Sequence, residues 1–146
     1  MQPGLALATG VRTAPGCLVE RLAIIGLGLI GGSLGLALIQ GGLAREVVGY
    51  DQDPDTVKVA WNIGAINRQA SSPQEAVDGA GLVILAVPVG ALGEVARAIA
   101  PALSPGAIVT DTGSVKGVVV RELEGILQPR GLYVGGHPMA GSEQAG

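Results

Sequence analysis

The stretch Leu22-Ala-Ile-Ile-Gly-Leu-Gly-Leu-Ile-Gly-Gly-Ser-Leu-Gly-Leu-Ala-Leu-Ile-Gln40 decides how this chain is read. Its first four residues are apolar and rich in β-branched side chains, the pattern of a short buried strand, and they stop at Gly26. Gly31 to Gln40 then read as a helix of small and aliphatic residues, closed by Gly41-Gly42. Between them lies Gly26-Leu-Gly28-Leu-Ile-Gly31, a G-x-G-x-x-G turn set between a strand and a helix.

Each part of that turn has a physical task in a dinucleotide site. Gly26 permits the tight turn, Gly28 lets the backbone approach a pyrophosphate, and Gly31 brings the helix close to the strand. Leu29 and Ile30 complete the loop, and the helix N-terminus offers free N–H groups and partial positive charge to phosphates. In a chain with 25 glycines the pattern alone is weak, and a loop that only packs a helix would look the same. The context is more informative. Glu46 to Tyr50 reads as a second strand, and Asp51 follows it, 20 residues after Gly31. A carboxylate there accepts hydrogen bonds from the adenosine ribose and repels a 2′-phosphate. Neither Gln52 nor Asp53 supplies a compensating cation, so NAD is favoured over NADP.

Working outward, the alternation continues. Asp53-Pro54 starts a helix running to about Asn62, with proline at the first helical position. Ala65 to Gln69 is a weak third strand, and Ser72-Pro73 opens a short helix to about Ala80. Leu82 to Ala86 is apolar throughout, as a central parallel strand should be. Val89 to Ala100 is a helix with Glu94 and Arg97 at i, i+3 on its wet side. Ala107 to Thr110, Lys116 to Leu127 and Tyr133-Val134 supply a strand, a helix and a sixth strand. This predicts a doubly wound parallel α/β sheet, a Rossmann-type dinucleotide-binding domain over residues 21–146, preceded by a disordered leader over residues 1–20.

Composition agrees with one such domain. The chain has 146 residues, 48% of them hydrophobic and 14% charged, so it has apolar material for a core. With only two Tyr, one Trp and no Phe, that core must be aliphatic. The net charge of −3, without a basic run, gives nucleic-acid binding little support. One Cys and one His are too few for a protein-only zinc site, so no metal is expected. No apolar run reaches membrane-spanning length and the N-terminus lacks a secretory pattern, so a cytoplasmic location is expected.

Ligands of an open parallel sheet lie beyond the C-terminal strand ends, which directs attention to three further loops. Val87-Pro88 would pack on the nicotinamide ribose, although Pro88 also serves simply to end a strand. Ser114, in Asp111-Thr-Gly-Ser-Val-Lys116, reads equally as a helix cap or a substrate contact. His137, the chain's single histidine, sits in Gly135-Gly-His-Pro-Met-Ala-Gly141 beyond the sixth strand. It is either an idle loop residue or a base suited to take a hydroxyl proton near neutral pH.

The combination GLGLIGGSLGLAL (26–38), VVGYD (47–51), VILAVPV (83–89), TDTGSVKG (110–117) and GGHPMAGSEQAG (135–146) resembles the N-terminal half of the prephenate dehydrogenase family. The last two segments, in this order and spacing, are the most discriminating. The resemblance implies oxidative decarboxylation of prephenate to 4-hydroxyphenylpyruvate in tyrosine biosynthesis, with NAD reduced. It implies that His137 assists deprotonation of the ring hydroxyl, that Ser114 helps orient that hydroxyl and the histidine, and that Glu143 lies at the active-site entrance, where it also reads as a solvated charge. Lys116 fits the motif but is given no chemical role.

Family members continue into a helical domain that binds the substrate carboxylates and forms a homodimer. With that domain missing here, the 146 residues alone are expected to be inactive and to expose an apolar docking patch. Three alternatives stand beside this reading. Arogenate dehydrogenase would use the same motifs. A β-hydroxyacid dehydrogenase would be expected to carry Met near Ile30 and a catalytic lysine further on. A non-catalytic NAD-binding module would need neither His137 nor Ser114.

Overall fold

A computed structural model describes residues 17–113, 117–128 and 130–136. Six strands form one parallel sheet: β1 Val19–Ile25, β2 Ala44–Tyr50, β3 Arg68–Gln69, β4 Leu82–Leu85, β5 Ile108–Asp111 and β6 Leu132–Tyr133. Their spatial order is β3-β2-β1-β4-β5-β6, the strand order of a Rossmann fold, with every pairing parallel. The helices are α1 Leu29–Gln40, α2 Pro54–Ile63, α3 Pro73–Val77, α4 Val89–Ile99 and α5 Gly117–Leu127.

Side chains alternate across a strand, and β1 uses this to supply two cores. Leu22 and Ile24 join Val57 and Ala60 of α2 on one face, with Leu34, Leu36 and Leu38 of α1 packed against them. Ala23 and Ile25 join Val77, Leu92, Ile99 and Leu123 of α3, α4 and α5 on the other. The sheet is thus covered on both faces, as predicted. Because the chain winds one way from β1 to β3 and the other way from β4 to β6, a crevice opens between β1 and β4 at their C-terminal ends.

Local chemistry accounts for the helix boundaries. Asp53 caps α2, accepting from the Asp55 N–H at 3.1 Å and the Thr56 hydroxyl at 3.0 Å, with Pro54 at the first position. Ser72 caps α3 through the Glu75 N–H at 3.0 Å. Glu75 reaches back to the Ser71 hydroxyl at 2.6 Å and the Ser71 N–H at 2.7 Å, which hold its carboxyl below the usual range.

Two expectations need correction. First, β1 begins at Val19, paired with Ala44, so the end of the expected leader lies within the sheet. Residues 1–16 lie outside the described part. Second, β3 is only two residues long, not the five from Ala65 to Gln69. Gly64, at φ +84°, ends α2 in the left-handed conformation, and the Ala65 N–H bonds back to the Ala60 carbonyl. Asn67 then bridges to β2 with its side chain, accepting from the Val47 N–H and donating to the Arg45 carbonyl. Glu94 and Arg97 lie on the exposed side of α4 as expected, and Arg97 also pairs with Glu122 of α5 at 3.5 Å. No helix among the described residues is long and apolar enough to cross a membrane.

Candidate dinucleotide-binding site

The crevice between β1 and β4 is a cleft of about 470 Å³ whose walls include Gly26, Gly28, Asp51, Val87 and Pro88. Five of the residues predicted to build a cofactor site therefore converge there. The three glycines do different work. Gly26 has φ +100°, and a Cβ on it would collide with the Ala86 carbonyl oxygen. A Cβ on Gly31 would collide with the Gly26 carbonyl oxygen, so α1 lies against the turn only because that side chain is absent. At Gly28 an added Cβ would meet no atom within 4 Å, although the residue forms part of the cleft wall. The missing side chain leaves the backbone open to the cleft and is not required by packing.

Gly28 is also the N-cap of α1 and provides no side-chain cap. First-turn N–H groups of such a helix are free donors beside a positive dipole end, which suits a pyrophosphate. Leu29 and Ile30 contribute to this through their backbone. The Leu29 side chain is largely exposed and faces a second, apolar groove between α1 and α2 with Leu36, Val59 and Ile63.

Asp51 stands at the end of β2 with both carboxylate oxygens engaged. Oδ2 accepts from the Leu27 N–H at 2.8 Å and Oδ1 from the Asp53 N–H at 2.9 Å. The first of these ties the acid directly to the glycine turn. Each carboxylate oxygen has a second acceptor site, so a ribose hydroxyl can still be bound by a group already held in place. On the other wall, Ala86 donates to the Ile25 carbonyl at 2.7 Å, which carries β4 alongside the turn before Val87 and Pro88.

Sequence reasoning missed the rest of the cleft. Pro73 of α3 and Glu94, Val95 and Ala98 of α4 complete its wall with Tyr50 and Gln52. No local sequence signal marks these residues, because only the strand order sets α3 and α4 on the face beside β1 and β4. None of the described lining residues is Lys, Arg or His, and two, Asp51 and Glu94, are acids. No group of three His, Cys, Asp or Glu among the described residues could hold a metal ion.

Ser114, Lys116, His137 and Glu143 lie outside the described residues. The loops that carry the first and third of them are described up to Gly113 and Gly136, and both meet the same side chain. Asp111, at the end of β5, is 3% exposed and accepts from the Gly113 N–H at 2.9 Å, the Tyr133 hydroxyl at 2.6 Å and the Gly136 N–H at 3.3 Å. Burial, followed by the hydrogen bond to Asp111 and its charge, pushes the Tyr133 hydroxyl above the usual phenol range. It is held as a donor.

Comparison with known proteins agrees with this architecture. The family model described as prephenate dehydrogenase, nucleotide-binding domain, matches residues 34–146. The chain is 34% identical over 128 residues to prephenate dehydrogenase of Bacillus subtilis, covering 87% of this chain and 34% of that protein. It is 41% identical over 127 residues to cyclohexadienyl dehydrogenase of Zymomonas mobilis, covering 87% of this chain and 43% of that protein. It thus spans less than half the length of these curated relatives. Among solved structures, prephenate dehydrogenase from A. aeolicus in complex with hydroxyphenyl propionate and NAD+ superposes with a TM-score of 0.75 at 37% identity, over 84% of this chain and 42% of that one. Synechocystis arogenate dehydrogenase gives a TM-score of 0.73 at 27% identity, over 82% of this chain and 41% of that one. A parallel sheet with its glycine turn and acid gathered at the switch point, together with a family match over most of its length, shows that the chain belongs to the prephenate dehydrogenase family, within its nucleotide-binding domain.

Proposed function

We propose that this chain is the cofactor-binding part of an NAD-dependent dehydrogenase that converts prephenate to 4-hydroxyphenylpyruvate and CO2. The observation that carries the reading is the cleft itself. The bare Gly28 backbone and the pinned Asp51 carboxylate share one wall system, with no described cation lining it. A 2′-phosphate beside Asp51 would meet a carboxylate with no described cation in the cleft to offset it, which supports NAD over NADP. The structural relative from A. aeolicus holds NAD+.

The chemistry supplied by bound NAD is acceptance of a hydride from the ring carbon that bears the hydroxyl. The protein's part is to move a proton and hold the reacting groups still. In this reading His137 takes the hydroxyl proton, Ser114 orients the hydroxyl, and Glu143 stands at the entrance. Loss of CO2 needs little acid–base help, because it leaves an aromatic ring. The substrate carboxylates would be bound by a second domain, and the dimer would form there as well.

Arogenate is the second reading, favoured by the match to an arogenate dehydrogenase and by the relative named for cyclohexadienyl substrates. Turnover assays on the full-length protein with each substrate and each cofactor decide between them. NADH formation from prephenate is expected. Activity with NADP alone would overturn the cofactor assignment, and activity with arogenate alone the substrate assignment.

A further inference from the structure

Asp111 is a buried carboxylate to which the proposed mechanism gives no task. Its two oxygens face different loops. Oδ2 accepts from the N–H of Gly113, the residue immediately before Ser114. Oδ1 accepts from the N–H of Gly136, the residue immediately before His137, and from the Tyr133 hydroxyl. Asp111 also ends β5, which is paired with β4 on one side and β6 on the other. Gly136 adds steric evidence for a set distance, since a Cβ there would come within 2.9 Å of Thr110 Oγ1 and 3.2 Å of the Asp111 carbonyl oxygen.

We infer that Asp111 is a positioning residue that couples the two reacting loops, one carboxylate oxygen to each, with the Tyr133 hydroxyl fixing its orientation. The inference rests on the reading of Ser114 and His137 given above. Only a carboxylate meets the geometry. Three donors approach it from two sides, and a carboxamide at this position would turn a donor toward one of them. Burial matters because a buried acceptor short of its donors cannot turn to water instead. The Tyr133 hydroxyl, held as a donor by burial, cannot be replaced by phenylalanine without leaving Oδ1 to the longer Gly136 contact alone.

The test uses the full-length protein and four variants: Asp111→Asn, Tyr133→Phe, His137→Asn, and the double variant Asp111→Asn/His137→Asn. Asp111→Asn should lower kcat by tenfold or more while the NAD dissociation constant stays within about twofold. Tyr133→Phe should lower kcat severalfold in the same pattern. In the His137→Asn background, Asp111→Asn should cost almost nothing further, because both loops serve proton transfer to His137 and without that base their alignment no longer matters. Losses that multiply in the double variant, or kcat and NAD affinity falling together, would overturn the inference in favour of a general structural role. Should Asp111→Asn fail to fold, Tyr133→Phe and Gly136→Ala carry the same comparison, and wild-type kcat in both would also overturn it. Undiminished turnover by His137→Asn alone would instead overturn the underlying functional reading.

Discussion

Gly28 and Gly31 stand three residues apart in the same turn, yet substitution should separate them cleanly. Gly28→Ala meets no atom within 4 Å and keeps a negative φ, so the fold should tolerate it. Its Cβ would occupy the face a pyrophosphate must approach, so NAD affinity should fall about tenfold or more, roughly 1.4 kcal/mol. Gly31→Ala puts a Cβ against the Gly26 carbonyl, and overpacking of this kind costs about 1–3 kcal/mol in stability. Calorimetric titration with NAD and thermal melts of both variants check the pair, and equal melting losses would refute the division of labour. Asp51→Ala should do both, because its carboxylate holds the Leu27 and Asp53 N–H groups as well as facing the cleft. The expected loss is about 1–3 kcal/mol in NAD binding, with a lowered melting temperature beside it.

At the scale of elements, β1, β2 and β3 are laced together at their side chains by Glu46. It receives Arg21 at 2.8 Å and Arg68 at 3.0 Å. The Arg68 hydrogen bond, helped by Arg21 against the opposing cost of burial, holds the Glu46 carboxyl below the usual range. A carboxyl whose folded pKa is depressed stabilises fully above its unfolded pKa and loses that contribution as pH falls through the folded value. Glu46 should therefore contribute fully at neutral pH and lose that contribution progressively below its ordinary value of 4.5, as pH falls through the depressed folded value. Glu46→Gln should cost about 0.5–1 kcal/mol at pH 7, since these side chains are partly exposed, and clearly less in acid at pH 3. Denaturant melts at the two pH values check this; a penalty that persists undiminished in acid would argue against the ion pairs as its source.

For the whole molecule, the 146 residues alone are expected to fold, to bind NAD weakly and to turn over neither prephenate nor arogenate. The two cores are closed by elements within residues 19–133, and the described cleft is lined from β1 round to α4. The expected weak binding and lack of turnover rest on the second domain proposed above, which would exclude water and fix the hydride distance. The groove of Leu36, Val59 and Ile63, with the 87% exposed Leu29 at its rim, should promote self-association at high concentration. NADH production from prephenate by the purified 146-residue chain would refute this division between the halves.

Much of this protein was legible from local pattern. Apolar runs of strand length, separated by capped helices, determined the parallel sheet. Gly26, Gly28, Gly31 and Asp51 were readable because their order and spacing along the chain correspond to one turn and one strand end. The full extent of β1, the shortness of β3 and the Arg97 to Glu122 pair were decided only by the fold, because each depends on a neighbour remote in sequence. The cleft wall from Pro73 and Glu94 belongs to the same class, as does Asp51's grip on Leu27. Asp111 shows the difference most clearly. Its sequence context reads as the first residue of a loop, while its partners Tyr133 and Gly136 lie 22 and 25 residues away. Periodicity and turn chemistry act over a few residues and can be read in order. A hydrogen bond across adjacent strands exists only once the sheet has brought those strands side by side.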